Sequence, residues 1–395
     1  MTTSKKKLTI AIIAETYPPE INGAARFGQR LAEGLSKRGH KVYVVAPCPT
    51  KGESYVTTTN GVTEYRLKSH SIITHTTIRL CFLWQIKQLM KKFFTEKRPD
   101  IVHIQCHFSL GRLAVKMSQE YNIPVVATFH VMPDNIVPFL PLPKCVIKRL
   151  IDYLWRDADR VLNKVNVITA PTELAIQGIN KYLKRQGIIA VSNGVDQDFY
   201  ELKESDFIEK SPKFIVLFVG RLSHEKNIDV LIKAIAKIPE SLNVFLEIVG
   251  EGQILDKLRQ LVKQLNKLQQ IKFLGYVDDE SLRQAYIRAS IFCIPSIAEL
   301  QSLATLEAMS ASLPVIAANA LALPHLVKEN KNGYLFKPGD SDDLANKIMH
   351  MAQLSQEARE QMGKESRKLI SEHHLDTTLS IYETIYAEQV KMLDI

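Results

Sequence analysis

The sequence predicts an α/β fold built from two parallel-sheet units of Rossmann type. Three observations carry this. Short continuous apolar runs recur at Leu8–Ala14, Val42–Ala46, Pro124–Thr128, Phe214–Val219, Val244–Val249 and Ser290–Ile294, the pattern of strands buried on both faces. Stretches of helical spacing separate them, as strand–helix–strand units require. The alternation then restarts after Glu201–Lys213, ELKESDFIEKSPK, a charged and weakly apolar segment that reads as a linker. At 395 residues the chain has the length of two or three domains, and 46% hydrophobic content supplies two cores.

Composition bounds the function. No apolar run reaches the roughly 18 residues of a spanning helix. The start, MTTSKKKLTIAIIAETYPPE, places lysines before an apolar run, but Leu8–Ala14 is short and Glu15 follows at once. It reads as a first strand rather than a signal peptide. The five cysteines form no C-x-x-C pair, which favours the cytosol. His103-x-x-Cys106-His107 has too few ligands for zinc, so no metal is expected. The net charge of +9 suits nucleic acid, an anionic membrane or an anionic substrate. No zinc-finger spacing, basic zipper or RNP-type stretch is present, so nucleic acid is not an expected partner.

In the first unit, Pro18, Pro19 and Gly23 break the chain after the opening strand. Ala24–Arg38 then carries Phe27, Leu31 and Leu35 at helical spacing, with Gly39 as a C-terminal stop. Loops between a strand and the next helix bind ligands in such sheets. Gly23 is therefore a candidate for close backbone approach to a diphosphate or sugar; an ordinary turn glycine is the other reading. A helix over Leu83–Glu96, a strand opening at Pro99–His103, a helix over Ser109–Gln119 and the strand Pro124–Thr128 follow. Phe129 and His130 stand at the C-terminal end of that strand, where parallel sheets carry their chemistry. Val167–Ala170 and Ile188–Val191 are further strands.

Two stretches interleave basic and apolar residues. Trp84–Arg98 has Lys87, Lys91, Lys92, Lys97 and Arg98 among Leu89, Met90, Phe93 and Phe94. Lys144–Lys164 has Lys148, Arg149, Arg156 and Arg160 among Val146, Ile147, Leu150, Leu154 and Trp155. Such helices suit an anionic interface, where each basic residue contributes about 1 kcal/mol. The same apolar faces equally serve to cover a sheet.

In the second unit, Phe214–Val219 leads through Gly220–Asn227, GRLSHEKN, into a helix over Ile228–Lys237. Val244–Val249 ends in Gly250-Glu251-Gly252, and Ile271–Leu274 in Gly275-Tyr276-Val277. Ser290–Ile294 leads into Ala298–Val315, AELQSLATLEAMSASLPV. Its helix begins near Gln301–Ser302 and runs through Leu303–Met309. Glu299 thus lies in the loop and Glu307 one to two turns inside the helix. A helix start offers free N–H groups and partial positive charge, which suit a phosphate. Strands Pro314–Ala317 and Tyr334–Phe336, a helix Asp340–Met351 and a last helix Leu375–Met392 complete the chain. Asp278-Asp279 and Asp342-Asp343 read as helix caps rather than metal ligands.

Glu299 and Glu307 resemble the E-x7-E pair of family 4 glycosyltransferases, retaining enzymes of the GT-B fold with two Rossmann-like domains facing a cleft. Other segments are similar too. Pro18–Gly23 resembles P-P-x-x-G-G, with Asn22-Gly23 in place of the glycine pair. Thr128–Asn135 resembles the post-strand T-x-H motif, Ser192–Asp196 resembles P-N-G-V-D, and Gly220–Asn227 resembles G-R-L-x-x-E-K-N/G. Ser192, Gln301, Ser302 and Ser312 stand where the family often has Pro, Phe, Gly and Gly.

The resemblance implies residues 1–200 as an acceptor-binding domain, 201–213 as linker, 214–370 as the nucleotide-sugar domain and 371–395 as a helix crossing back to the first domain. It implies that Arg221 and Lys226 clasp the donor diphosphate without a metal, a role fixed cations can fill for a leaving group gaining charge. Glu307 would bind the ribose, Glu299 would orient the sugar, and His130 would contact sugar hydroxyls. The backbone at Val277 would hold the base. Gly23, Leu300, Gln301, Ser302 and Leu303 would complete the donor site. A nucleotide-sugar donor and a lipid or glycan acceptor are the partners the resemblance implies, with no cofactor. A front-face departure, in which the leaving phosphate takes the acceptor proton, is implied by the family.

The pairing of FHVMPDN with AELQSLATLEAM is similar to the diacylglycerol 3-glucosyltransferase branch. With the basic stretches it favours transfer from UDP-glucose to a membrane lipid, by a cytoplasmic enzyme docked on the inner face of the cell membrane. A mannosyltransferase using GDP-mannose on a phosphoinositide or glycan is the alternative within the class. A GT-B sugar-nucleotide epimerase or a non-catalytic sugar-nucleotide binder is the alternative outside it.

Overall fold

A computed structural model of the chain describes residues 6–20, 22–72, 75–130, 132–135, 137, 142–183, 185–203, 206 and 213–392. Most of the segment 201–213 lies outside them. By its internal contacts the chain divides into two units, Met1–Asn193 with Asp376–Ile395, and Gly194–Leu375.

The first unit holds an eight-stranded sheet. Its order is Ile189–Ala190, Val167–Ala170, Val125–Thr128, Ile101–Ile104, Thr9–Ile13, Lys41–Pro47, Val62–Leu67 and Tyr55–Thr59. Neighbours are parallel except the last pair. Ile10, Ile12 and Val44 are fully buried, as two-sided helix cover demands. The antiparallel edge is absent from the sequence reading, because Tyr55–Thr59 is exposed at every position. Its turn was nonetheless legible: Asn60 and Gly61 both have positive φ, 51° and 78°, the Asn-Gly hairpin signature.

The last helix, Leu375–Lys391, belongs to this unit from Asp376 onward. Gly34 leaves room for Leu379, whose Cδ1 lies 2.5 Å from where a Cβ at Gly34 would stand. The Tyr382 hydroxyl lies 3.0 Å from that of Thr128 and 3.1 Å from that of Thr169. The Tyr386 hydroxyl meets His103 Nδ1 at 2.5 Å, and His103 Nε2 meets Thr128 Oγ1 at 2.6 Å. Both His103 nitrogens are thereby engaged, and burial pushes its pKa down to about 3. Its neutral ring is a structural member of the core. Among the described residues no three His, Cys, Asp or Glu side chains cluster as a metal would require.

The second unit is a six-stranded parallel sheet in the order Ile271–Gly275, Val244–Val249, Phe214–Val219, Ile291–Ile294, Val315–Ala318 and Gly333–Phe336. The C-terminal ends of four neighbouring strands deliver the loops at Gly220, Gly250, Gly275 and Pro295. Of the helices of ten or more residues described in this unit, Leu255–Gln264 and Gln356–Leu369 escape the sequence reading, and of Asp279–Arg288 only the cap is read. The first buries only Leu258 and Val262, too narrow a stripe to stand out. Asp278 caps Asp279–Arg288, accepting from Ser281 N at 2.7 Å. For Ser341–Gln353 the cap is Asp340, which accepts from the N–H groups of Asp342 and Asp343. The Asp342-Asp343 pair therefore donates backbone bonds to the cap rather than forming it.

The basic stretches both form helices, Leu83–Lys97 and Lys144–Leu162, and the structure corrects their apolar faces. Met90, Phe93, Phe94 and Trp155 are buried against the unit and are not free for insertion. What stays outside is Trp84, 73% exposed, stacked on Phe82 with centroids 4.5 Å apart. Leu80, Leu83 and Leu89 are exposed beside it in the chain, as are Val146 and Tyr153 on the second helix. No helix among the described residues is long and apolar enough to cross a membrane.

Candidate functional site

In the second unit three strand-end loops are stitched in a row. Gly250 N donates to Gly275 O at 2.8 Å, Gly220 N to Val249 O at 3.0 Å, and Leu222 N to Glu251 O at 2.8 Å. The Gly-x-Gly at 250–252 has a packing cause. A Cβ on Gly250 would lie 2.0 Å from Gly220 O, and one on Gly252 2.3 Å from Leu222 O. These glycines hold the loop against the GRLSHEKN segment. Val277 follows the edge strand, half-buried, just before the Asp278 cap.

The GRLSHEKN segment turns through a short 3-10 stretch, His224–Lys226. Asn227 then adopts φ 48°, ψ 38°, left-handed geometry that Asn and Gly tolerate best. That explains the N/G alternation at this motif position. Glu225 is the organiser that sequence reasoning passed over. Its carboxylate accepts from Arg221 Nη2 at 3.0 Å and from Ser223 Oγ at 2.5 Å. Burial opposes its charge, yet the Ser223 hydroxyl and the Arg221 guanidinium outweigh burial and hold its pKa below the ordinary range. Arg221 Nε is buried and has no hydrogen-bond partner.

Lys226 reaches the other motif directly. Its ammonium is ion-paired with Glu299, the two side chains being 20% and 9% exposed. Backbone bonds hold the loop there: Ile297 N donates to Glu225 O at 3.1 Å and Ala322 N to Glu299 O at 3.2 Å. The helix runs Leu303–Ser310 with Ser302 as N-cap, its hydroxyl accepting from Thr305 N at 3.3 Å. The serine in place of glycine thus does a helix cap's work. Leu300, Gln301, Ser302 and Leu303 are all buried. Glu307 lies one turn inside the helix, 4% exposed, with its Oε2 3.0 Å from the Tyr286 hydroxyl. Tyr286 is absent from the sequence analysis because only the cap of its helix, at Asp278, is read there. Ser312, at another family glycine, has φ 58°, so this position keeps the left-handed backbone without the glycine.

In the first unit Gly23 opens the helix Gly23–Lys37, while Asn22 provides the cap, accepting from Ala25 N at 2.9 Å. Gly23 is exposed and its φ is not positive. What it offers is the first N–H of that helix, on an exposed residue. One turn on, Phe27 packs against His130 at 4.9 Å between ring centroids. His130 Nε2 lies 2.7 Å from Gln105 Oε1, and burial pushes its pKa down to about 3. Arg221, Lys226, Glu299, Glu307 and the cap at Ser302 are thus gathered in the second unit, and Gly23 and His130 are linked through one helix in the first.

Residues 201–369 match the family described as Glycosyl transferases group 1, and residues 21–199 match Glycosyltransferase Family 4. The chain is 25% identical to an alpha-monoglucosyldiacylglycerol synthase of Streptococcus pneumoniae, over 94% of this chain and 87% of that protein. It is 28% identical to a GDP-mannose-dependent alpha-mannosyltransferase of Mycobacterium tuberculosis, over 87% of each. Among solved structures it is similar to Anabaena HepE in complex with UDP and glucose, with a TM-score of 0.76 and 20% identity, covering 96% of this chain and 99% of that one.

Proposed function

The chain belongs to glycosyltransferase family 4 and has the GT-B fold, and on that premise we propose that it moves glucose, with retention, from UDP-glucose to a hydroxyl of a membrane lipid such as diacylglycerol. The observation that carries the donor half is the cation pair Arg221 and Lys226, held by Glu225 and Glu299 at the ends of adjacent strands. A nucleoside diphosphate leaving group gains negative charge as the glycosidic bond breaks. Arg221, with a buried Nε–H still to satisfy, and Lys226 stabilise that charge in place of a metal. Lys226 exchanges Glu299 for the diphosphate, which frees Glu299 to orient the sugar. Glu307 takes the ribose hydroxyls, with Tyr286 holding its second oxygen. The backbone at Val277 holds the base, and residues 300–303 with the helix start cradle the phosphate and sugar. Gly23 and His130 bear on the sugar, and the leaving phosphate takes the acceptor proton.

The lipid half rests on the S. pneumoniae relative and on the exposed Phe82–Trp84 step beside Lys87, Lys91 and Lys92. We place the enzyme in the cytoplasm, on the anionic inner face of the cell membrane. The mycobacterial relative supports a second reading, mannosyl transfer from GDP-mannose to a phosphoinositide or glycan. A thermal-shift screen across UDP- and GDP-sugars separates the two, since a ligand at 100 times its dissociation constant adds about 2.7 kcal/mol. UDP release that requires diacylglycerol supports transfer. Release without any acceptor, or none under any condition, sinks it.

A further inference from the structure

We propose that Gln105 is a positioning residue that fixes the ring tautomer of His130, so that Nδ1 accepts a hydrogen bond from a hydroxyl of the transferred sugar. This rests on the assignment of His130 to the sugar made above. An amide oxygen only accepts. With Gln105 Oε1 at 2.7 Å, His130 Nε2 must carry the proton, and Nδ1 keeps its lone pair. Double protonation offers no way round this, because burial keeps the ring neutral.

Gln105 is itself well held. It is 4% exposed, and its backbone N–H donates to Ile13 O at 2.9 Å, tying the end of one strand to the next. Phe27, tilted 55° against the imidazole, limits rotation of the ring from the other side. The remaining half of the amide carries a second message. Gln105 Nε2 is buried and has no hydrogen-bond partner. A buried donor without a partner costs at least as much as a lost hydrogen bond, and in a native structure it calls for an explanation. A sugar diol supplies one. One hydroxyl oxygen accepts from Gln105 Nε2–H, and a neighbouring hydroxyl donates to His130 Nδ1. A phosphate or carboxylate has no proton for Nδ1 and fits this pair poorly.

The test uses the full chain with ¹⁵N-labelled histidine, the His130 signal being identified by its loss in His130→Ala. The wild type is expected to show the Nε2–H tautomer. Gln105→Met, similar in shape but without the acceptor, is expected to lose that tautomer, and Gln105→Glu, which keeps an acceptor, to restore it. By calorimetry, Gln105→Met is expected to bind UDP-glucose about tenfold more weakly, the loss of one hydrogen bond, with UDP affinity unchanged. An unchanged tautomer in Gln105→Met overturns the proposal whatever the binding result. Wild-type UDP-glucose affinity in His130→Ala instead overturns the assignment of His130 to the sugar, and the proposal with it.

Discussion

The ammonium of Lys226 is held against the carboxylate of Glu299, across a sequence separation of 73 residues, so a cation and an acid from two motifs neutralise each other before any donor arrives. In the proposed reaction this pair must part. Glu299→Gln leaves Lys226 free for phosphate. UDP alone should then bind as tightly or several-fold more tightly, a partly exposed pair contributing about 1 kcal/mol or less. Transfer should fall at least tenfold, because the acid no longer orients the sugar. Calorimetry with UDP and initial rates check this; weaker UDP binding would contradict the competition.

In the proposed donor clamp, Arg221→Ala removes a charge-assisted contact to the diphosphate worth roughly 1.5–3 kcal/mol. Because charge on the leaving group grows in the transition state, turnover should fall together with donor affinity. Steady-state kinetics on a variant with an unaltered melting temperature decide it. Unchanged kinetics would rule the clamp out.

Activity should survive excess chelator. In the proposed reaction Arg221 and Lys226 supply the cations, while Asp278 caps a helix and Asp342 and Asp343 donate backbone bonds to the Asp340 cap. Loss of activity restored by magnesium or manganese would reveal a metal step.

Membrane attraction should be electrostatic first, and so weaken as the screening length falls from about 10 Å at 0.1 M salt to about 3 Å at 1 M. Replacing Lys87, Lys91, Lys92, Lys148 and Arg149 with Gln should weaken sedimentation with anionic vesicles and spare donor binding. Trp84→Ala should remove the part that persists in high salt, whereas the buried Phe93 and Trp155 contribute only to folding. Equal pelleting with anionic and neutral vesicles would return both helices to plain sheet cover.

Glu15 accepts from the N–H groups of Leu110 at 2.6 Å and Gly111 at 3.3 Å, yet burial raises its pKa from 4.5 to about 7. Between those values the folded chain keeps a proton that the unfolded chain has released. Stability therefore drops as pH rises through that window. Glu15→Gln, which keeps an acceptor, should flatten this dependence and stabilise the protein at pH 8 by on the order of 2 kcal/mol. Denaturant melts at pH 5 and pH 8 measure it. An equal pH dependence in both proteins would assign the effect elsewhere.

The sequence by itself determined the two parallel sheets, because continuous apolar runs can lie only where both faces are covered, and such runs mark Thr9–Ile13, Lys41–Pro47 and Val125–Thr128 in the first sheet and Phe214–Val219, Val244–Val249 and Ile291–Ile294 in the second. It also determined the motif loops where the backbone demand is local, the positive φ of Gly220, Asn227 and Gly250, whereas Gly252 answers to the close approach of Leu222 O from another loop. Tertiary structure alone decided three things. Tyr55–Thr59 became a strand by pairing at an edge, with no burial to write a pattern into it. Phe93 and Phe94 went inward while Trp84 stayed out on one helix, and Trp155 went inward while Tyr153 stayed out on the other, choices between faces that periodicity cannot make when both faces carry apolar residues. And the partners of the candidate site residues, Glu225 for Arg221, Tyr286 for Glu307 and Gln105 for His130, were set by which loops the sheet order brings together. A hydrogen bond depends on ångström placement between distant segments, and neither composition nor spacing encodes that distance.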